Sequence, residues 1–168
     1  RIFLDSILID STSIISLRAF KNGYCSSYTI DRIFFINEST GLKVISLVTD
    51  SLNLWDDSLG IYSLGPNADS IYPFLNANFW QDSYKYARIE CFSEEYEFIK
   101  SGQIDLRING GISRTYPQKS FKLNFRSKYS GNLNWNFLSN KADIVSFNNI
   151  ILRNGGSGTR GLHNRIND

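Results

Sequence analysis

Alternation of apolar and polar side chains predicts two paired strands in the second half of the chain. In residues 103–111, QIDLRINGG, every second side chain from Ile104 onward is apolar, and residues 119–126, KSFKLNFR, repeat that pattern. Because successive side chains of a strand point to opposite faces, each stretch has one face to bury. Paired with each other, the two strands place Arg107 and Lys122 on a shared polar face.

Shorter patterns predict further strands. Residues 6–37 are expected to form three short strands around a turn at Lys21-Asn22-Gly23, because Asn-Gly favours the positive φ of tight turns. Residues 41–50 and 148–154 are each expected to form one strand. Residues 85–98 alternate as a strand with a single buried face.

Helix signals are few. Thr49 or Asp50 is expected to cap one helical turn over residues 51–57, and Ser157 or Thr159 could cap a helix that starts close to the end of the chain. Residues 58–80 are rich in Gly, Pro, Asn and Ser and predict a loop. The expected fold is therefore mainly β (α+β), with antiparallel sheets and few short helices.

Composition fits a folded chain of modest size. The 168 residues are 42% hydrophobic and 14% aromatic, which excludes a disordered chain. The polar stretch NESTG predicts a boundary between a module ending near residue 36 and a second domain over residues 42–168. The start at Arg1 within an apolar run leads us to expect a piece of a longer protein. No apolar stretch approaches the roughly 20 residues that a membrane-spanning helix needs.

Candidate catalytic and metal-ligating residues are scarce. Cys25 and Cys91 lack the close spacing of a zinc site, so two buried thiols are the favoured interpretation and a disulfide the alternative. His163 is the single histidine, and no nucleophile–base arrangement accompanies it. We therefore assign no catalytic and no metal-binding residue.

Charge is distributed unevenly along the chain. Residues 1–100 hold eight Lys and Arg against thirteen Asp and Glu, whereas residues 101–168 hold ten against three. A cationic second half is suited to phosphate, nucleic acid or an acidic partner, and it is equally typical of a solvated surface.

The loop at residues 109–119 lies within this cationic half. Gly110, Gly111 and Ser113 would let backbone N–H groups approach an anion, while Arg114 and Lys119, with Lys122 on the following strand, would supply positive charge. The alternative is an ordinary hairpin turn, in which Gly-Gly is common.

Four stretches of the chain resemble the CotH kinase family, the spore-coat protein H type of atypical protein kinase. The most specific is LRINGGISRTYPQKSFKLNF, which is similar to the family's Gly-Gly-x-Ser-Arg-x-x-Pro-Gln-Lys-Ser signature. The others, in order, are GLKVISLVTDSLNLWDDSLGIYSLG, NFWQDSYKYARIECFS and IILRNGGSGTRGLHNRIND. Together they cover about residues 42–168, and residues 1–36 resemble the end of a chitobiase-type β-sandwich module.

The resemblance implies the N-terminal lobe of a kinase-like domain that uses ATP and Mg²⁺ to phosphorylate Ser or Thr of a protein substrate. It implies an extracellular or cell-surface bacterial protein, with no nucleic acid as partner. The nucleotide-binding residues carried over onto this chain, with Lys122 or Arg153 as the direct phosphate ligand, are Arg107, Gly110, Gly111, Ser113, Arg114, Lys119, Lys122 and Arg153.

Two departures from the family pattern qualify the expected activity. The family's metal-binding and catalytic carboxylates are expected downstream of Asp168, and Asn167 stands where the family has Arg before the final Asp. Phosphoryl transfer depends on metal ions that neutralise the phosphate oxygens. We therefore expect this chain alone to lack kinase activity.

A different class of function is a non-catalytic extracellular β module that binds carbohydrate or protein, or a structural protein of the cell surface or spore coat. Trp55, Trp80 and Trp135 are the candidate stacking platforms for such a module. Core packing is the favoured role for these side chains, because large aromatic residues provide much of the buried area of a small domain.

Overall fold

A computed structural model describes residues 6–39, 41–129, 131–136, 141 and 143–155. The chain is mainly β, with antiparallel sheets and very few short helices, which confirms the predicted fold class. It divides into two compact units, one drawn from Arg1–Val48 with Arg88–Ser101 and the other from Thr49–Ala87 with Gly102–Asp168. The boundary predicted near residues 36–41 stays a prediction.

Nine strands are described. In chain order they are β1 Ser13–Leu17, β2 Ile30–Phe34, β3 Val44–Val48, β4 Lys85–Phe92, β5 Phe98–Asn109, β6 Ser120–Asn124, β7 Leu133–Asn134, β8 Ser146–Phe147 and β9 Asn149–Leu152. Strands β1 and β2 pair, β7 and β8 pair, and a five-stranded sheet has the order β3-β4-β5-β6-β9. The α-helix is α1, Ser51–Trp55, and short 3₁₀ turns cover Asn78–Trp80 and Ile112–Thr115.

In the first unit, β1 and β2 form an antiparallel pair. The predicted turn is present, since the Tyr24 N–H donates to the Lys21 carbonyl over 3.1 Å and Gly23 has φ +80°. It lies inside a long connection between the two strands and does not join them directly. Residues 6–37 hold two strands, where three were predicted.

The prediction of a single buried face for β4 was half right. Ala87, Ile89 and Cys91 are buried as expected, but Glu90 on the opposite face is only 4% exposed. Its carboxylate is satisfied there, because the Arg32 guanidinium lies 2.8 Å from Oε1 and the Ile33 N–H donates to Oε2 over 3.0 Å. The alternation pattern predicts that Glu90 is exposed, because a carboxylate is buried only where other groups pair with it. Those groups, on Arg32 and Ile33, lie far from Glu90 in the sequence, so the pattern could not show them.

The two cysteines are free and differ in exposure. Cys91 is buried, as expected, and burial raises the pKa of its thiol to about 12. Cys25 is exposed, so the expectation of two buried thiols was wrong for Cys25, and no disulfide forms.

In the second unit, the apolar side chains of the paired strands alternate as predicted, but Asp105, Ser120 and Asn124 on the polar face are buried too. Ile104, Leu106 and Ile108 are almost completely buried along β5, and Leu123 is buried on β6. The antiparallel register sets Arg107 directly opposite Lys122, which confirms their shared face. The strand predicted over residues 148–154 is present as β9, and it pairs with the other edge of β6.

The connection from α1 to β4 packs against this sheet. Asp50 caps α1 by accepting the Leu52 N–H over 2.9 Å, which resolves the choice between Thr49 and Asp50. A cluster of Ile61, Ala77, Phe79 and Ile108 forms the core here. The predicted helix beyond Ser157, together with His163, lies outside the described residues.

Candidate functional site

A cavity of about 370 Å³ lies beside the glycine loop in the second unit. Four of the predicted nucleotide-binding residues line it, namely Gly110, Gly111, Ser113 and Arg153. The rest of the lining is Asn109, Ile112, Tyr116, Ser120 and Asn154. The structure thus brings together residues that lie more than forty positions apart in the sequence.

Gly110 sets the direction in which the chain leaves β5. Its φ is +127°, a region that residues with a side chain rarely adopt, and a Cβ atom there would lie 2.4 Å from the Ser113 hydroxyl oxygen. Gly111 follows, and a Cβ on it would meet nothing within 4 Å. This part of the cavity wall is therefore bare backbone.

Strand β9 delivers Arg153 to the same cavity. The Asn154 N–H donates to the Ser120 hydroxyl over 3.0 Å, and the Asn154 side-chain amide donates to the Gln118 carbonyl over 2.7 Å. These bonds fix the chain directly after β9. Arg153 is exposed, and no described residue forms a hydrogen bond or an ion pair with it.

Lys122 lies on the polar face of the sheet that ends at this cavity. Residues two apart on a strand share a face, so Lys122 stands beside Ser120 of the cavity wall. Its cross-strand neighbours are Arg107 on β5 and Ile151 on β9. Within the described part of the chain its ammonium group has no hydrogen bond or ion pair, which makes Lys122 the second available cation.

Arg107 is paired within the protein. Its Nη1 lies 2.6 Å from Asp82 Oδ1, and its guanidinium stands 5.5 Å from the centre of the Tyr84 ring. Only 18% of the side chain is exposed, and its buried Nε has no hydrogen-bond partner.

Arg114 spreads its guanidinium over four acceptors. Nε donates to the Gly110 carbonyl over 2.7 Å, Nη1 to the carbonyls of Phe79 and Trp80 over 3.2 and 3.0 Å, and Nη2 to Asp82 Oδ1 over 3.1 Å. The hydrogen bond from Arg114, assisted by Arg107, holds the pKa of Asp82 below its usual range. Arg114 therefore braces the glycine loop against residues 79–82.

Lys119 is buried beneath the loop, with only 7% of the residue exposed. Its ammonium donates to the carbonyls of Arg114 and Tyr116 over 2.5 and 3.0 Å and lies 4.4 Å from the Phe79 ring centre. Loss of water around it lowers the pKa of Lys119. Like Arg107 and Arg114, it has protein partners and does not line the cavity.

Sequence reasoning did not assign a site role to Asp82 or to the cavity residues Asn109, Ser120 and Asn154. Asp82 is 64% exposed along its side chain and binds both Arg107 and Arg114, but no spacing signal links it to residues 25 and 32 positions away. Asn109 and Ser120 could have been found, because they pair at the ends of two strands whose alternation was recognised.

The three tryptophans differ in environment. Trp135 is buried, as core packing predicted, and Trp80 is partly buried against the core cluster. Trp55 is 62% exposed, which departs from the expectation of core packing.

The described residues show neither a metal-binding cluster nor a membrane-spanning helix. No three side chains among His, Cys, Asp and Glu are grouped so that they could hold a metal ion. No described helix has the length and apolar character that would let it cross a membrane.

Comparison of the chain with protein-family models, curated proteins and solved structures gives no match. The resemblance to the CotH kinase family therefore rests on the four sequence stretches alone. The ATP, Mg²⁺ and protein substrate that it implies stay predictions.

Proposed function

We propose that the second unit binds the phosphates of a nucleotide, as the nucleotide-binding part of a CotH-type atypical protein kinase that transfers phosphate from ATP to Ser or Thr. The observation that carries this proposal is the cavity lined by Gly110, Gly111, Ser113 and Arg153. It combines accessible backbone with an exposed guanidinium, and these are the two kinds of group that bind phosphate oxygens in proteins.

Lys122 adds a second charge on the same sheet face. It lies next to Ser120 on β6, and β9 places Arg153 at the end of the neighbouring strand. The sequence did not decide whether Lys122 or Arg153 contacts the phosphate directly. Lys122 is half-buried and Arg153 is exposed, and Arg153 lines the cavity itself. We assign the direct phosphate contact to Arg153 and the longer-range attraction to Lys122.

The magnesium ion expected with ATP does not fit this lining. Mg²⁺ prefers carboxylate and other oxygen ligands, and no Asp or Glu is among the residues around the cavity. Carboxylate ligands for a metal ion bound with ATP would therefore lie outside this cavity lining.

Isothermal titration calorimetry with ATP tests the proposal. Arg153→Ala should weaken ATP binding by at least about tenfold, because a hydrogen bond to a charged group contributes roughly 1.5–3 kcal/mol. Lys122→Ala should weaken it less. The matched control is Lys141→Ala, which removes an exposed cation outside the cavity lining and should leave the affinity unchanged. Equal affinity in all four proteins would remove this cavity as the phosphate site.

A further inference from the structure

A second pocket lies on the loop between α1 and β4. Its volume is about 730 Å³, within the range of roughly 300–1,000 Å³ that is typical of ligand pockets. The lining is Asn67, Leu75, Asn76, Trp80 and Gln81. We propose that this pocket binds a neutral pyranose sugar, independently of the nucleotide proposal.

The lining matches the chemistry of a sugar ring. A pyranose has an apolar face of C–H groups, which can stack on an indole ring, and a rim of hydroxyl groups that donate and accept hydrogen bonds. Three amide side chains surround Trp80, and each amide both donates and accepts. No described residue of the lining carries an ionisable side chain, which favours a neutral ligand over a phosphate or a carboxylate.

Trp80 is held in place before any ligand arrives. Its indole N–H donates to the Pro73 carbonyl over 3.1 Å, and its own carbonyl accepts from Arg114 over 3.0 Å. The neighbouring Phe79 ring lies 5.8 Å away, centre to centre. A fixed aromatic face reduces the entropy lost on binding, since the side chain has already been ordered by folding.

The loop around the pocket is ordered by its own hydrogen bonds. Asn76 adopts a left-handed backbone with φ +64°, and its side-chain amide donates to Asp69 Oδ1 over 3.1 Å. The buried Asn78 amide donates to the carbonyls of Asp57 and Gly60 over 2.9 and 3.2 Å. Residues 56–77 contain no helix or strand, and irregular segments of this length inside compact domains are usually functional.

Two of the amides are available to a ligand. Among the described residues, none forms a hydrogen bond with the side chain of Asn67 or of Gln81, and both residues are exposed. They line the same pocket as the indole that would carry the sugar ring, so their amide groups are available to its hydroxyl groups.

Calorimetric titration with neutral oligosaccharides tests this site. The probes are β-1,4-linked hexamers of glucose, mannose and N-acetylglucosamine and an α-1,4-linked glucose hexamer, each up to millimolar concentration. We expect saturable binding of at least one probe. Trp80→Ala should weaken it by at least about tenfold, and Gln81→Ala by a smaller factor. Trp55→Ala, which removes an exposed tryptophan outside the pocket, is the matched control and should bind as the unmodified chain does.

Arg153→Ala should leave sugar binding unchanged, so failure of the nucleotide site and failure of this site are separate results. If Trp80→Ala does not fold, Trp80→Phe and Gln81→Ala take its place in the test. Trp80→Phe keeps an aromatic ring against the core cluster, and Gln81 is exposed, so both variants should fold. Absence of saturable binding to every probe would overturn the proposal. So would binding that persists undiminished in both Trp80→Phe and Gln81→Ala, or binding that Trp55→Ala abolishes.

Discussion

Arg114 is the side chain that organises the glycine loop. Its guanidinium reaches three backbone carbonyls and one carboxylate, and only 12% of the side chain is exposed. A planar fork with five donors suits this arrangement, and a lysine ammonium does not reproduce it. The sequence predicted Arg114 as a phosphate ligand, whereas its partners in the structure are groups of the protein itself.

Arg114→Ala should therefore destabilise the chain. We expect a loss of about 2–3 kcal/mol in the free energy of unfolding, because several acceptors lose their donor in a largely buried place. Urea denaturation measures this change. Arg153→Ala, with no described partner to lose, should stay within about 0.5 kcal/mol of the unmodified chain. If Arg114→Ala leaves the free energy of unfolding unchanged, Arg114 does not brace the loop.

Asp82 makes the stability of the folded chain depend on pH. Its pKa in the folded chain lies below the value of about 3.9 found in unfolded chains, chiefly because Arg114 donates to it and secondarily because of Arg107. Ionised Asp82 thus stabilises the fold at pH values above about 4, and that contribution disappears as the pH falls through its folded pKa.

Asp82→Asn should accordingly be less stable than the unmodified chain at pH 6, and the difference should shrink towards zero as the pH approaches 2. Urea denaturation at a series of pH values follows this trend. Asp57→Asn is a suitable control, since Asp57 is another exposed carboxylate of the same unit and has no ion pair among the described residues. A difference for Asp82→Asn that is constant across the series would show that its charge does not stabilise the loop.

The turn between β5 and β6 depends on one glycine more than on the other. Gly110 has φ +127° and no room for a Cβ atom beside Ser113, whereas the Cβ position of Gly111 faces open space. Gly110→Ala should cost about 1–3 kcal/mol of stability, because it forces a side chain into strained backbone and against a neighbour. Gly111→Ala should cost less in the same thermal or urea denaturation. The reverse order would contradict the loop geometry described here.

The paired strands were predictable because apolar and polar side chains alternate regularly along residues 104–108 and 120–125. Ile104, Leu106, Ile108 and Leu123 were all placed correctly for this reason. Asp50 as a helix cap followed from equally local chemistry. The alternation pattern did not predict the burial of Glu90, because that burial depends on Arg32 and Ile33, nearly sixty residues away in the sequence.

The candidate site was predictable only in part. Glycines beside cations marked the loop that lines the cavity, but inside a loop no periodicity tells which side chains turn outward. Lys119 points into the core and Arg114 binds residues 79–82, because the segment before β4 packs against the loop. That packing involves residues 56–80, where composition predicted a loop and no pattern predicted its hydrogen bonds.

Across the described molecule, two carboxylates pair with four of the eight described cations in the basic half of the chain. Asp82 pairs with Arg107 and Arg114, and Asp105 pairs with Arg126 and Lys128. Burial pushes the pKa of Asp105 upward, but hydrogen bonds from Lys128 and Tyr129 outweigh it and the net pKa is lowered.

Four described cations of this half have no carboxylate partner among the described residues. Lys119 is buried and donates to carbonyls, and Lys141 is exposed outside the cavity lining. The other two, Lys122 and Arg153, lie beside and at the cavity, where the glycine loop exposes its backbone. The proposed function requires phosphate binding at that place.

The most direct test is an amide NMR titration of the chain with ATP. We predict saturable chemical-shift changes at Gly110, Gly111, Ser113 and Arg153, and their loss or strong weakening in Arg153→Ala. Tripolyphosphate should shift the same amides, because the proposed contacts are to phosphate. Shifts confined to other parts of the chain, or no saturable shift at all, would contradict the assignment of this cavity as a nucleotide phosphate site.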